Sequence, residues 1–257
     1  MIKRRKDRFS TIVLAAGKGT RMKSSLVKVL HPILGKPMLS YPIAVAREVG
    51  TKEIVIVVGH QAELVKESFN DNDLLFVYQG EQLGTGHAVL QTKDRFLDFE
   101  GTILILCGDV PLITPSTVKV LLDYHISGDA AVTVLTTVLE TPHGYRRIVK
   151  KTGADILKIV EERDATSEEK MIREINTGIY CVESKFLFEA LADIDNKNAQ
   201  GEYYLTDIVK IARRRGHTAR SFIANDPVEI MGINNPDDLK LATRIIEGRM
   251  RKGSNLY

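Results

Sequence analysis

Ser10-Thr11-Ile12-Val13-Leu14-Ala15-Ala16-Gly17-Lys18-Gly19-Thr20-Arg21-Met22 is the stretch that decides the fold. A short β-type run, residues 10–13, opens directly into a glycine-rich, basic loop. Glycines let backbone N–H groups approach phosphate oxygens closely. Lys18, Arg21, Lys23 and Lys28 crowd positive charge into the same region, which suits a triphosphate better than a neutral ligand. Spacing excludes two common phosphate motifs. A P-loop requires G-x-x-x-x-G-K-[ST], which the chain lacks. A dinucleotide fingerprint requires G-x-G-x-x-G, and Met22 stands at its third glycine position. An isolated G-x-G is ordinarily a turn; the preceding strand and the cationic cluster favour phosphate binding here.

Working outward, apolar runs alternate with amphipathic stretches. Strands are expected at 10–15, 53–58, 74–78 and 102–106, with helices at 38–49, 61–69 and 84–95 between them. This order predicts an α/β fold of Rossmann-like type: a mostly parallel mixed sheet with helices on both faces. Glu53-Ile54-Val55-Ile56-Val57-Val58 and Thr102-Ile103-Leu104-Ile105-Leu106 are nearly continuous apolar runs, as in strands buried on both faces. Pro37 marks a helix start and Gly50 a helix stop. Further on, Pro115 opens a helix, and strands are expected at 130–138, 146–150, 155–161, 178–182 and 218–223. Helices are expected at 184–192, 204–215 and 236–249. Residues 10–250 are expected to form one domain between a basic tail, residues 1–9, and a short tail, 251–257.

The bulk numbers narrow the classes. A chain of 257 residues, 44% hydrophobic and 27% charged, is ordinary for a soluble globular protein. A net charge of +3 is too small for a nucleic-acid footprint. No apolar run reaches membrane-spanning length, and residues 12–16 are too short for a signal-peptide core. Cys107 and Cys181, the only cysteines, lack metal-type spacing and are expected to be reduced thiols in the cytoplasm.

Ligands of open α/β sheets bind outside the carboxyl ends of the strands, and three polar clusters fall there. Gly17 to Met22 follow the first strand, Gln79-Gly80-Glu81-Gln82-Leu83-Gly84-Thr85-Gly86-His87 the third, and Gly108-Asp109 the fourth. Three clusters on one edge can form one site.

These clusters, with Lys28-Val29-Leu30-His31-Pro32, Glu174 to Ile179, Gln200 to Asp207 and Gly232-Ile233-Asn234-Asn235, resemble the uridylyltransferase domain of the bacterial bifunctional enzymes that make UDP-N-acetylglucosamine. The motifs run in family order across nearly the whole chain. The resemblance implies a nucleotide-diphospho-sugar transferase fold and the reaction of UTP with N-acetylglucosamine 1-phosphate, aided by Mg²⁺. It implies nucleotide contacts from Leu14, Ala15, Ala16, Gly17, Gly19, Thr20, Arg21, Lys28, Gln79, Gln82, Gly84 and Thr85. Lys28 and Arg21 would act on the phosphates, with Lys18 alongside. Cys107, Gly108, Asp109, Gly144, Glu161, Asn176, Thr206 and Asn234 would face the sugar, and Asp109 and Asn234 would hold the metal. Gln79 could read uracil or, by flipping, cytosine. Gln82 could equally cap the following helix, Asp109 could be a turn carboxylate, and Glu161 one surface acid among several.

Two departures stand out. The family has proline where this chain has Val27, which is expected to loosen the placement of Lys28. Its Gly-Tyr-Gly-Arg appears here as Gly144-Tyr145-Arg146-Arg147, so Arg146 is strained if that backbone has φ > 0. No hexapeptide repeat is present, so neither the family's acetyltransferase activity nor its trimer is expected, only a monomer or weak oligomer. No nucleic-acid or membrane partner is expected. The alternatives are another sugar 1-phosphate, such as glucose 1-phosphate, or a nucleotide-sugar sensor without turnover.

Overall fold

The computed structural model describes residues 8–251. Most of the basic tail and residues 252–257 lie outside the described residues. Phe9 already belongs to the first strand, β1 (Phe9–Ala15), and pairs with Thr102.

After β1 the chain forms 3-10 turns over Thr20–Met22 and Lys28–Leu30. A small hairpin follows, β2 (Pro32–Ile33) and β3 (Lys36–Pro37). Its turn residues, Leu34 and Gly35, both have positive φ, at 48° and 81°, as a tight two-residue hairpin requires. Pro37 therefore ends a strand rather than opening a helix, and α1 runs Ser40–Glu48. Then come β4 (Ile54–Val58), α2 (Ala62–Glu67), β5 (Leu74–Tyr78) and α3 (Thr85–Leu90). The helix expected over 84–95 breaks after α3 into a 3-10 turn, Lys93–Phe96. There the Thr92 hydroxyl donates to the Val89 carbonyl at 2.7 Å, a local bond that competes with the helical ladder.

The second half supplies β6 (Thr102–Cys107), α4 (Pro115–Ser127), β7 (Val132–Val138), β8 (Arg147–Lys150), β9 (Ile156–Val160) and α5 (Ser167–Lys170). It ends with β10 (Glu174–Glu183), α6 (Ser184–Leu191), α7 (Asp207–Arg214), β11 (Ala219–Ile223) and α8 (Pro236–Arg251). Thr114 caps α4 by accepting from the Thr117 amide, with Pro115 at the first helical position.

Among the described residues one sheet holds nine strands, in the order β11-β7-β10-β6-β1-β4-β5 with β8 and β9 appended to β10. β1 pairs in parallel with β4 and β6, β4 with β5, and β7 with β11. β10 runs antiparallel between β6 and β7. Alternate residues of the central strands feed two apolar layers. Ile12, Val55, Val57, Ile103 and Ile105 pack against α3, α6 and α7. Val13, Ile54, Ile56, Leu104 and Leu106 pack against α1, α2 and α4. Both sheet faces are thus covered, which explains the unbroken apolar runs. The consequence for function is positional: the parallel strands β1, β5 and β6 deliver their following loops to one edge. No helix among the described residues is long and apolar enough to cross a membrane.

Candidate active site

That edge holds a cavity of about 600 Å³, within the size range of small-ligand sites. Leu14, Ala15, Ala16, Gly17, Arg21 and Lys28 line it from the first loop, with Gln79, Gln82, Gly84 and Thr85 from the loop after β5. Cys107 and Asp109 line it after β6, and Gly144, Asn176 and Asn234 complete the expected set. Gly19, Thr20, Gly108, Glu161 and Thr206 do not reach the wall, nor does Lys18.

The charged centre is compact. The Lys28 ammonium pairs with the Asp109 carboxylate and also donates to Asn234 Oδ1 at 3.4 Å. Arg21 donates to the same Oδ1 at 2.8 Å. Asn234 is tied to the Asp109 strand end through the Ile233 amide, which donates to the Asp109 carbonyl at 2.8 Å. Asp238 then holds the Asn234 and Asn235 amides at 2.8 and 3.2 Å, while Asn235 Oδ1 accepts from the Asp238 amide at 2.9 Å. This reciprocal pair at the start of α8 is a capping box. The signature, Asn235-Pro236-Asp237-Asp238, was open to sequence reading, and the positioning role of Asp238 was missed.

Lys28 is also fixed from behind. Gln61, at φ 54°, accepts from the Val27 amide at 2.8 Å and donates to the Ser25 carbonyl at 2.8 Å. Proline would lack that amide donor. Val27 is fully buried, so the freedom expected at this position is taken up by Gln61. Gly19 leaves no room: a Cβ there would stand 2.5 Å from the Lys28 Cβ, and its φ is 62°.

The Gln79 end of the cavity is more buried. Gln79 is 2% exposed, and its amide nitrogen reaches the Gly84 carbonyl at 3.2 Å and His87 Nδ1 at 3.1 Å. Gln82 lines the cavity beside Gly84 at the start of α3. The Gly84–Gly86 segment is zipped to residues 203–205: Tyr203 donates to the Leu83 carbonyl, and Thr85 Oγ1 accepts from the Leu205 amide.

At the opposite end, Asn176 is internally satisfied. It donates to the Tyr180 hydroxyl at 2.6 Å and accepts from the Gly178 amide at 3.0 Å. Gly178 has φ 83°, and a Cβ there would meet Cys107 Sγ at 2.8 Å. Burial first, and then the Asp109 charge, push the Cys107 thiol up to about 12. It lines the cavity as a neutral thiol. Arg146 pairs with Glu161, and Thr206 Oγ1 lies 3.5 Å from the same carboxylate oxygen. The positive-φ residues other than glycine are Lys23, Leu34 and Gln61 among the described residues. The strain considered for Arg146 is therefore absent; the positive φ belongs to Gly144, at 81°. The wall also includes Tyr145, Thr177 and Glu202, which lie inside the motifs read from the sequence, and His143, for which the sequence carried no distinct signal.

The donor set fits a hard divalent cation. Asp109 and Asn234 offer oxygens that already share a cationic neighbour, and oxygen-only ligation suits Mg²⁺. No group of three or more His, Cys, Asp or Glu able to hold a metal occurs among the described residues. Phosphate oxygens and water would complete the coordination, as Mg²⁺ commonly requires.

The MobA-like NTP transferase domain model matches residues 11–194. The chain is 53% identical over 246 residues to "Bifunctional protein GlmU" of Geotalea daltonii, covering 95% of this chain and 54% of that protein. It is 48% identical over 244 residues to the protein of the same name from Clostridioides difficile, covering 95% and 53%. The chain thus spans about half the length of the curated relatives it matches. A solved UDP-glucose pyrophosphorylase complexed with UDP-glucose superposes with a TM-score of 0.76 at 18% identity, covering 94% of this chain and 99% of that one. The α/β Rossmann-like fold expected from the sequence is thereby established.

Proposed function

The chain belongs to the MobA-like NTP transferase domain family, and we propose that its cavity joins UTP to N-acetylglucosamine 1-phosphate, releasing pyrophosphate and UDP-N-acetylglucosamine. Residues 10–250 are taken as the domain that carries this reaction. The reading rests above all on the convergence of Arg21, Lys28, Asp109 and Asn234 at one sheet edge.

The chemistry asks for little covalent help. A phosphate monoester has its second pKa near 6, so the acceptor is largely a dianion at pH 7. It needs no strong general base, only charge neutralisation and in-line placement on the α-phosphorus. Lys28 neutralises charge on the transferring phosphoryl group. Arg21 holds the β- and γ-phosphates that leave. Gln79 meets the uracil edge beside Gly84 and Thr85. Nucleotidyltransferases as a class use a divalent cation, which we assign as Mg²⁺. Asp109 and Asn234 would hold it, and when bound it would supply neutralisation of the charge on the phosphates. Asn176 and Gly144 shape the acceptor end.

Pyrophosphate release measured with UTP, Mg²⁺ and a panel of sugar 1-phosphates tests the proposal. Release is expected with N-acetylglucosamine 1-phosphate. No release with any acceptor would remove the enzyme and leave a nucleotide-sugar sensor. Release with glucose 1-phosphate alone would keep the mechanism and replace the substrate.

A further inference from the structure

The acceptor end of the cavity presents a guanidinium where a carboxylate was expected. Arg146 immediately precedes β8, and its backbone carbonyl accepts from the Asn176 amide at 3.0 Å. The main chain is thereby pinned at the wall. Its Nε donates to Glu161 Oε1, just beyond β9. Glu161 is 11% exposed and Arg146 35% exposed at the side chain. Arg146 lines the cavity, whereas Glu161 and its neighbour Thr206 do not. The carboxylate is therefore a buttress behind the guanidinium.

This inverts the hydrogen-bonding character of the wall. A carboxylate only accepts and would suit sugar hydroxyls; a guanidinium only donates. Glu161 takes up Nε, and no bond to the two terminal NH₂ groups of Arg146 occurs among the described residues. An arginine anchored on one side is pre-organised for a planar oxygen acceptor on the other. Burial alone would weaken the guanidinium charge, but the adjacent Glu161 carboxylate more than restores it, so the charge persists. A hydroxyl oxygen is a weaker acceptor for such a donor than an acyl carbonyl or carboxylate oxygen.

We infer that Arg146 is the specificity-determining residue of the acceptor end, selecting sugar 1-phosphates that present an acyl oxygen, as amide carbonyl or carboxylate, over those that present only hydroxyls; the inference rests on the nucleotidyltransferase reading of the cavity. A charge-assisted hydrogen bond of this kind corresponds to roughly a 10- to 100-fold preference.

The test compares kcat/KM for pyrophosphate release with UTP and three acceptors: N-acetylglucosamine 1-phosphate, glucuronic acid 1-phosphate and glucose 1-phosphate. The wild-type chain is expected to favour at least one acyl-bearing acceptor over glucose 1-phosphate by about 10-fold or more. Which of the two leads distinguishes amide from carboxylate. Replacing the pair together, Arg146→Gly with Glu161→Gln, leaves no buried charge unpaired. It is expected to reduce the preference to within about threefold, through the KM for the acceptor rather than for UTP. Arg146→Lys, which keeps the charge but loses the fork, is expected to fall between and serves if the double variant does not fold. An undiminished preference in a variant that still turns over overturns the inference and leaves the enzyme reading standing. So does a wild-type preference for glucose 1-phosphate. No pyrophosphate from any acceptor with the wild-type chain overturns both.

Discussion

Lys28→Met should move two measurements in opposite directions. The Lys28 ammonium sits between Asp109 and Asn234, the two oxygen ligands assigned to the divalent ion. A doubly charged ion beside a fixed ammonium at about 4 Å would be repelled by roughly 8 kcal/mol at an effective dielectric of 20. Lysine has a flexible stem, so the smaller cost decides: the ammonium gives up its charged hydrogen bonds and swings away. That costs about 1.5–3 kcal/mol, or roughly 10- to 100-fold in metal affinity. Lys28→Met abolishes this competition. Mn²⁺ titrated without nucleotide and followed by electron paramagnetic resonance should therefore bind about 10- to 100-fold more tightly to the variant. Pyrophosphate release should meanwhile fall about 100- to 1,000-fold, as when a charge-stabilising donor is lost. Adding Asp109→Asn to the same chain should cancel the gain in Mn²⁺ affinity. Unchanged or weaker Mn²⁺ binding in Lys28→Met would refute the assignment of these oxygens to the metal.

Gln61→Ala removes both bonds that hold residues 25–27 and should lower stability by about 1–3 kcal/mol in urea unfolding, since the buried Val27 amide is left unpaired. Gln61→Gly relieves the left-handed backbone as well and should lose less; equal losses would mean that the φ of 54° carries no strain. Gly19→Ala should raise the KM for UTP and cost at least about 1–2 kcal/mol, because its Cβ would overlap that of Lys28; a normal KM would show that this loop does not set the lysine. Cys107 retains its proton up to about pH 12, against an ordinary 9.0. The folded state thus binds that proton more tightly, and stability from this group is complete below pH 9 and declines as pH climbs toward 12. Urea midpoints from pH 8 to 10.5 should fall less in Cys107→Ser than in the wild-type chain, and iodoacetamide at pH 8 should label the native thiol far more slowly than the unfolded one. Equal labelling rates would contradict a half-buried, neutral thiol.

The parts of the fold that were legible in the sequence share one physical cause. β1, β4, β5 and β6 are parallel and apolar along most of their length, so short apolar runs located them. β10 was only half visible. Glu174, Asn176 and Thr177 interrupt the apolar pattern, and the pairing with β7 shifts register between Asn176 and Tyr180. Yet the strand starts at Glu174. The β2–β3 hairpin escaped because two-residue strands carry no period, and its turn begins with leucine rather than the usual asparagine or aspartate. For the site, the glycine-rich loop, the Gln79 loop and Asp109 were legible because parallel topology sends strand ends to one edge. Glu161 and Thr206 were placed on the wall by resemblance, but Arg146 lines it and they do not. No spacing rule could reveal which of two paired side chains stands in front.

The same pairing recurs along the cavity and has an energetic logic. Arg21 rests on Asn234, Lys28 on Asp109 and Arg146 on Glu161. Each cation is held in place by an oxygen from the chain itself, which limits the mutual repulsion of three positive groups around one cavity. Such an arrangement also makes anion binding an exchange of partners rather than a gain of new ones. In the proposed reaction phosphate oxygens would displace Asp109 from Lys28, and the released carboxylate would then face the phosphates as a like charge. A divalent ion held by Asp109 would neutralise that repulsion. Nucleotide and metal should therefore bind with positive coupling, and by linkage each should tighten the other by the same factor. UTP affinity measured by calorimetry should improve by at least about 10-fold when Mg²⁺ is added to the wild-type chain. In Asp109→Ala, where no carboxylate is released against the phosphates, that improvement should shrink and metal-free UTP should bind more tightly than to the wild type. Weaker metal-free binding in Asp109→Ala would show instead that Lys28 needs its carboxylate partner to hold position, and the exchange of partners would not be how this site works.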